Sequence, residues 1–231
     1  MNAEPITIRI NDASSVSALW QSSRAPSACL ALAHGAGAGM AHKSMAAIAD
    51  GLAERGVATL RYQFPYMEKG GKRVDPPPVT HASVRAAVAE AARLAGGAPL
   101  LAGGRSFGGR MTSQAQALSP LEGVRGLVFF AFPLHPAGKP SIERAAHLAD
   151  VTIPMLFLQG TKDTLAELDL LRPVVAGLGP RATLELAADA DHSFHVPAKT
   201  GRKDAEMLAG LLDAAAAWMA AHLPSSFTAG R

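Results

Sequence analysis

The chain has 231 residues, of which 48% are hydrophobic and 18% charged, so it can bury a sizeable core and lacks the composition of a disordered protein. Its formal net charge is +3, an excess too small for a dedicated nucleic-acid surface. The single cysteine, Cys29, excludes an intrachain disulfide and a cysteine-based zinc site.

The sequence contains no recognisable targeting or membrane segment. The first ten residues lack the apolar core of a secretory signal, and glycine interrupts the longest uncharged stretch, 25–42. We therefore expect a cytoplasmic protein with no membrane partner and no nucleic-acid partner.

Apolar β-type runs alternate with helical patterns along most of the chain, which is typical of a mostly parallel sheet covered by helices on both faces. A short turn joins the first two strands, so the second strand is expected to be antiparallel. The eight predicted strands are 5–10, 16–20, 28–34, 57–64, 99–104, 124–132, 153–160 and 182–187.

Helical periodicity fills most of the intervals between these strands. A proline-rich loop, 65–78, precedes the second helix, and the segment between Phe132 and Ile153 is too short for a large lid domain. We expect one domain over residues 1–223 and a loose tail over 224–231. The predicted helices are 44–55, a helix with its apolar face from Val84 to Ala95, 107–118, a short one near 141–149, 164–177 and one ending near His222.

A Gly-x-Ser-x-Gly motif lies at the junction between the fifth strand and the helix that follows it. It is formed by Gly104 to Gly108, with Ser106 at its centre. This placement predicts a nucleophile elbow, a tight turn in which flanking glycines avoid clashes and the serine is exposed at the helix N-terminus.

A nucleophilic serine needs a histidine base and an acid that orients it, in the chain order Ser, Asp or Glu, His for this architecture. Asp163 follows the seventh strand and His192 follows the eighth, so both are expected at the same sheet edge as Ser106. The alternatives are His195 for the base and Glu167, Asp189 or Asp191 for the acid.

Two backbone N–H groups are predicted to form the oxyanion hole. One belongs to Phe107, directly after the nucleophile. We place the second at Ala36, in the glycine-rich loop after the third strand. His34 is interpreted as ordering this loop by hydrogen bonding.

The motifs AHGAGAG, GGRSFGGR, FLQGTKD and DHSFH resemble those of the α/β-hydrolase superfamily, and more closely its small dienelactone-hydrolase-like branch. That branch includes bacterial hydrolases, a testis-expressed human protein and a subunit of a histone-acetyltransferase complex. The resemblance spans nearly the whole chain and implies a three-layer α/β-hydrolase fold. It also implies Ser106 as nucleophile, Asp163 as acid and His192 as base.

The sequence hypothesis is a serine hydrolase that cleaves a small ester or thioester with no cofactor or metal. The alternatives are a serine peptidase or perhydrolase on the same triad, and a non-catalytic interaction module. Arg105 and Arg110 flank the nucleophile, as ligands for a substrate carboxylate or as partners of a structural acid. The basic cluster Lys69, Lys72 and Arg73 is either a steering site for anions or a solvated loop.

Overall fold

The computed structural model describes residues 2–22 and 25–222. Over these residues the chain forms one eight-stranded sheet with the order β1-β2-β4-β3-β5-β6-β7-β8. β2 runs antiparallel to β1 and β4, and all other neighbouring strands are parallel, as the sequence predicted. The predicted tail, 224–231, lies outside the described residues. The strands are β1 Glu4–Asn11, β2 Ser14–Gln21, β3 Ala28–Ala33, β4 Val57–Tyr62, β5 Leu100–Arg105, β6 Val124–Phe130, β7 Met155–Gly160 and β8 Ala182–Ala187.

Helices cover both faces of this sheet, so the molecule has three layers. A 3-10 helix, Glu143–Asp150, is the main element between β6 and β7, and that connection holds no lid domain. The α-helices are α1 Lys43–Glu54, α2 Pro65–Glu68, α3 Pro77–Leu94, α4 Phe107–Leu118, α5 Leu168–Gly177 and α6 Asp204–His222.

The central strands are buried on both faces, which explains their nearly continuous apolar sequence. In β3 every residue is buried, and successive side chains enter opposite cores. Cys29, Ala31 and Ala33 join the core that α3, α4 and α5 cover. Ala28, Leu30 and Leu32 join the core that α1 and α6 cover.

The strand order reverses at β3, because the strand that follows β3 in the chain, β4, lies on one side of it and β5 lies on the other. Ligands of open α/β sheets bind at the carboxyl ends of the strands near such a switch point. The loops that leave β3 and β5 are those predicted to hold Ala36 and Ser106. The topology therefore brings both loops to one crevice.

The predicted loop 65–78 proved more ordered than expected, because it contains α2 and the start of α3. Pro65 and Pro77 each occupy the first position of a helix, where the missing proline N–H would have had no intrahelical partner. The sequence prediction of a loop across all of 65–78 was therefore wrong at both ends. The predicted helix 164–177 also begins later, at Leu168.

Candidate active site

Ser106 occupies a strained turn between β5 and α4. Its backbone angles, φ 51° and ψ −119°, fall where residues other than glycine rarely lie. Such a conformation costs on the order of 1–3 kcal/mol and is concentrated at functional sites. The strain turns the Ser106 side chain away from the sheet at the N-terminus of α4, as a nucleophile elbow requires.

The glycines on either side of Ser106 permit this turn because backbone passes very close to them. A Cβ on Gly104 would lie 2.6 Å from the Ala33 carbonyl oxygen. A Cβ on Gly108 would lie 2.4 Å from the His34 carbonyl oxygen. Both distances are shorter than real Cβ contacts, so both positions require glycine at this approach of the elbow to β3.

Ser106, His192 and Asp163 form one continuous hydrogen-bonded chain. The Ser106 Oγ lies 2.8 Å from His192 Nε2, and His192 Nδ1 lies 2.7 Å from Asp163 Oδ2. The Asp163 side chain is fully buried, whereas that of His192 is 21% exposed. These distances fall within the range for proton transfer between a nucleophile, its base and an orienting acid.

Two further donors hold the Asp163 carboxylate. The side-chain amide of Gln159 donates to Oδ2 at 2.5 Å, and the Leu165 N–H donates to Oδ1 at 2.8 Å. Gln159 is itself fixed, because its Oε1 accepts the Phe132 N–H at 2.9 Å. Sequence reasoning missed Gln159, although its place four residues before Asp163 on β7 was a possible signal.

His34 is fully buried and fixes the loop after β3 at two points. Its Nδ1 lies 2.7 Å from the Gly35 carbonyl oxygen, and its Nε2 accepts the Phe64 N–H at 3.0 Å. Accepting at Nε2 requires a neutral ring with the proton on Nδ1. Burial lowers the pKa of His34, which favours that neutral form.

The same loop has a second support from α2. The Tyr66 hydroxyl donates to the Ala36 carbonyl oxygen at 2.8 Å. The Tyr66 N–H in turn donates to Asp75 Oδ2 at 2.7 Å. The peptide groups on both sides of Ala36 are therefore held in fixed planes. Within the described residues, the N–H groups of Ala36 and Phe107 donate to no protein acceptor.

The residues considered as alternatives to Asp163 and His192 are not part of this hydrogen-bonded chain. His195 is exposed and paired with Asp204 at 2.9 Å, and this hydrogen bond raises the pKa of His195. Asp191 caps its own turn by accepting the N–H groups of Ser193 and His195. Asp189 is exposed, and Glu167 pairs with the buried His135.

The side chains of Arg105 and Arg110, which flank the elbow, make different contacts. Arg105 Nη2 donates to Ser193 Oγ at 3.2 Å, next to the His192 loop. Arg105, Ser193 and Phe194 form one end of a cleft of about 560 Å³ between α1 and α6. The Arg110 guanidinium instead lies over the Phe107 ring, 5.8 Å from its centroid.

The basic residues Lys69, Lys72 and Arg73 are exposed, and none of them makes an ion pair with a described residue. No described helix has the length and apolarity that a membrane crossing demands. Across residues 2–22 and 25–222, no group of three or more His, Cys, Asp or Glu side chains could hold a metal ion.

Solved structures share this fold at low sequence identity. An α/β serine hydrolase homologue from Coxiella burnetii is 20% identical with a TM-score of 0.73, covering 93% of this chain and 98% of that one. A serine hydrolase without a lid from Xanthomonas campestris is 21% identical with a TM-score of 0.70, covering 94% and 95%. A dienelactone hydrolase from Anabaena variabilis is 17% identical with a TM-score of 0.74, covering 96% and 98%.

Comparison with curated proteins yields no significant match. A protein-family comparison matches residues 26–220 to the alpha/beta hydrolase domain. That range includes the loop after β3, the elbow, Asp163 and His192. The fold class expected from the sequence is therefore confirmed, and the chain belongs to the α/β-hydrolase domain family.

Proposed function

We propose that this protein is a serine hydrolase that cleaves small esters or thioesters by acyl transfer. The observation that supports this proposal is the hydrogen-bonded chain from Ser106 Oγ through His192 to Asp163 Oδ2. A serine hydroxyl is a weak nucleophile by itself, and an adjacent base that can remove its proton makes it reactive.

In the first step, Ser106 Oγ attacks the substrate carbonyl carbon while His192 Nε2 accepts the hydroxyl proton. Asp163 holds the Nδ1–H tautomer and stabilises the imidazolium that forms. The carbonyl oxygen becomes an oxyanion, which the N–H groups of Phe107 and Ala36 bind. Collapse of this intermediate breaks the bond to the alcohol or thiol, and His192 returns the proton to that leaving group.

In the second step, water attacks the acyl-enzyme with His192 as the base. The tetrahedral intermediate collapses, the Ser106 Oγ–acyl bond breaks and a carboxylic acid leaves. Each oxyanion donor contributes about 3 kcal/mol to such a transition state. No cofactor takes part in either step, and a small acyl compound in the cytoplasm is the substrate we propose.

The absence of a lid between β6 and β7 supports a preference for small or protruding acyl groups. A lid would enclose long chains and exclude water from a deep pocket. The 3-10 helix Glu143–Asp150 covers only part of this edge. Peptide hydrolysis and perhydrolysis, in which hydrogen peroxide takes the acyl group in place of water, are rival reactions on the same triad, and a substrate panel separates them from hydrolysis of esters and thioesters.

The test combines a fluorophosphonate probe with turnover of p-nitrophenyl acetate. We expect the wild type to be labelled and active, and the Ser106→Ala variant to be neither. The matched control is Ser119→Ala, which removes an exposed serine hydroxyl at the other end of α4 and should keep both signals. A wild type that neither reacts with the probe nor hydrolyses any substrate would contradict the proposal and favour an interaction module.

A further inference from the structure

Two arginines and two histidines converge beside the elbow, and we call them the Arg–His cluster: Arg110 on α4, His81 on α3, and Arg144 and His147 on the 3-10 helix. Helix α4 packs between α3 and the 3-10 helix, which brings the four side chains together. All four residues are partly buried. The acyl-transfer mechanism above uses none of them.

The polar atoms of this cluster are poorly satisfied by the protein. The Arg110 side chain makes no hydrogen bond or ion pair with any described residue, and its Nε is buried without a partner. His81 Nε2 is also buried without a partner. The histidines do have some polar contacts, since His147 Nε2 lies 2.7 Å from Ser113 Oγ and the His81 ring also hydrogen-bonds the Gln114 side chain. Burying a charged donor without an acceptor is costly, so such groups normally have a counter-ion.

The electrostatic surroundings of the cluster are predominantly positive. Burial lowers the pKa of Arg110, and the like charge of Arg144 lowers it further. Burial and the charge of Arg110 lower the pKa of His147, and Asp150 opposes that shift only in part. No carboxylate among the described residues forms an ion pair with Arg110 or Arg144. A bound anion would balance the positive charges of these two arginines.

Arg110 lies on the helix that begins directly after Ser106. The Arg110 N–H donates to the Ser106 carbonyl oxygen, so Arg110 lies just over one helical turn, about 6 Å, beyond Ser106. Helical side chains lean toward the N-terminus, and the guanidinium indeed lies over the Phe107 ring at the start of α4. The charge therefore lies by the first turn of α4, which begins directly after Ser106.

We propose that the Arg–His cluster binds the free carboxylate of an acyl substrate, so that the enzyme prefers half-esters of short dicarboxylic acids to neutral esters. This inference rests on the proposed function and specifies its substrate class. Arg110 supplies the charge-assisted hydrogen bonds, and Arg144 adds a second positive charge. The carboxylate fixes the acyl chain with its ester carbonyl at the oxyanion hole.

The test compares two substrates that differ only in charge, monoethyl glutarate and its neutral carboxamide analogue, by measuring released ethanol. Because charge-assisted hydrogen bonds are worth about 1.5–3 kcal/mol, we expect wild-type kcat/KM to favour the carboxylate by about 10- to 100-fold. The ratio of the two values should fall at least about 10-fold in Arg110→Gln, and less in Arg144→Gln. Arg125→Gln removes an exposed arginine from the start of β6, at the opposite sheet edge, and should keep the wild-type ratio.

The outcomes separate this inference from the proposed function. Equal turnover of both substrates, or a preference for the amide, overturns the inference and leaves ester hydrolysis in place. A wild-type preference that persists in both Arg110→Gln and Arg144→Gln overturns the assignment to this cluster. If neither glutarate ester nor p-nitrophenyl acetate is hydrolysed, the proposed function fails and this inference fails with it. The Arg144→Gln variant tests the cluster even where Arg110→Gln does not fold.

Discussion

The Nδ1 of His34 lies 2.7 Å from the carbonyl oxygen of Gly35, the next residue in the chain. That carbonyl shares a planar peptide group with the Ala36 N–H, and the two point in opposite directions. By holding the Gly35 oxygen, His34 therefore sets the direction of the Ala36 N–H, the second donor that we propose for the oxyanion hole.

His34→Gln should lower kcat by about 10-fold or more with little change in KM, because a misdirected oxyanion donor weakens only the transition state. Steady-state kinetics on a small ester measure this split. The matched control is His135→Gln, because His135 also contacts the carbonyl of its following residue but lies after β6. An unchanged kcat in a folded His34→Gln protein would contradict the role of this peptide group.

Gln159→Met should lower both kcat and stability. It removes the amide donor from Asp163 Oδ2 and leaves the buried Phe132 N–H without its acceptor. An unpaired buried group costs about 1–3 kcal/mol, which urea unfolding would detect. Gln116→Met is the control, since the buried Gln116 likewise accepts a backbone N–H, that of Leu121, far from the triad. Equal kcat in the two variants would mean that Gln159 only stabilises the fold.

The residues of the candidate site differ in how far the sequence alone could identify them. Ser106, Asp163 and His192 were predictable because each follows a strand, and parallel strands end at one sheet edge. His34 was predictable because it precedes the glycine-rich loop. The mostly parallel sheet followed from the alternation of apolar runs and helical patterns, and the antiparallel β2 followed from the short turn before it.

Other features depend on three-dimensional packing that no local pattern encodes. Arg110 and His147 meet only because α4 packs against the 3-10 helix, and their separation in sequence gives no hint of it. Phe132 follows β6 at the same sheet edge as the triad, but it is fully buried against Phe129 and Phe157. The helices at Pro65 and Pro77 were missed because proline usually signals a loop.

The strain at Ser106 can be measured directly by comparing two inactive variants. Glycine adopts positive φ at little cost, whereas alanine keeps the steric penalty of the wild type. Ser106→Gly should therefore be more stable than Ser106→Ala by about 1 kcal/mol, after the greater flexibility of glycine in the unfolded chain is subtracted. Chemical denaturation gives the difference. If alanine proves the more stable residue, the turn does not hold the strain that its φ of 51° indicates.

Gly108→Ala should disrupt the elbow, because the new methyl group would meet the His34 carbonyl oxygen at 2.4 Å. Backbone on both sides must then shift, and we expect a loss of more than about 2 kcal/mol in stability together with the loss of activity. Gly210→Ala in α6 is the matched control, since nothing lies within 4 Å of its added Cβ. That variant should gain about 0.5–1 kcal/mol from helix propensity. A stable and active Gly108→Ala protein would refute the close approach of α4 to β3.

The low pKa of His147 predicts how stability depends on pH. Burial and the charge of Arg110 lower this pKa from 6.5 to about 4. Between these values the unfolded chain binds a proton that the native state does not, so the free energy of unfolding rises with pH over this window. The contribution is complete above pH 6.5 and is lost as the pH falls toward 4.

The variant that isolates this effect is His147→Gln, in which an uncharged amide replaces the ring and can still hydrogen-bond Ser113 Oγ. Its free energy of unfolding should fall less than that of the wild type between pH 6.5 and 4, by about 2 kcal/mol. The comparison is needed because His34 and His81 also have lowered pKa values and add to the slope of both proteins. Urea titrations at half-unit pH steps measure the two slopes. If the slopes coincide, His147 is protonated in the native state as readily as in the unfolded chain, and the positive surroundings of the Arg–His cluster are weaker than its geometry requires.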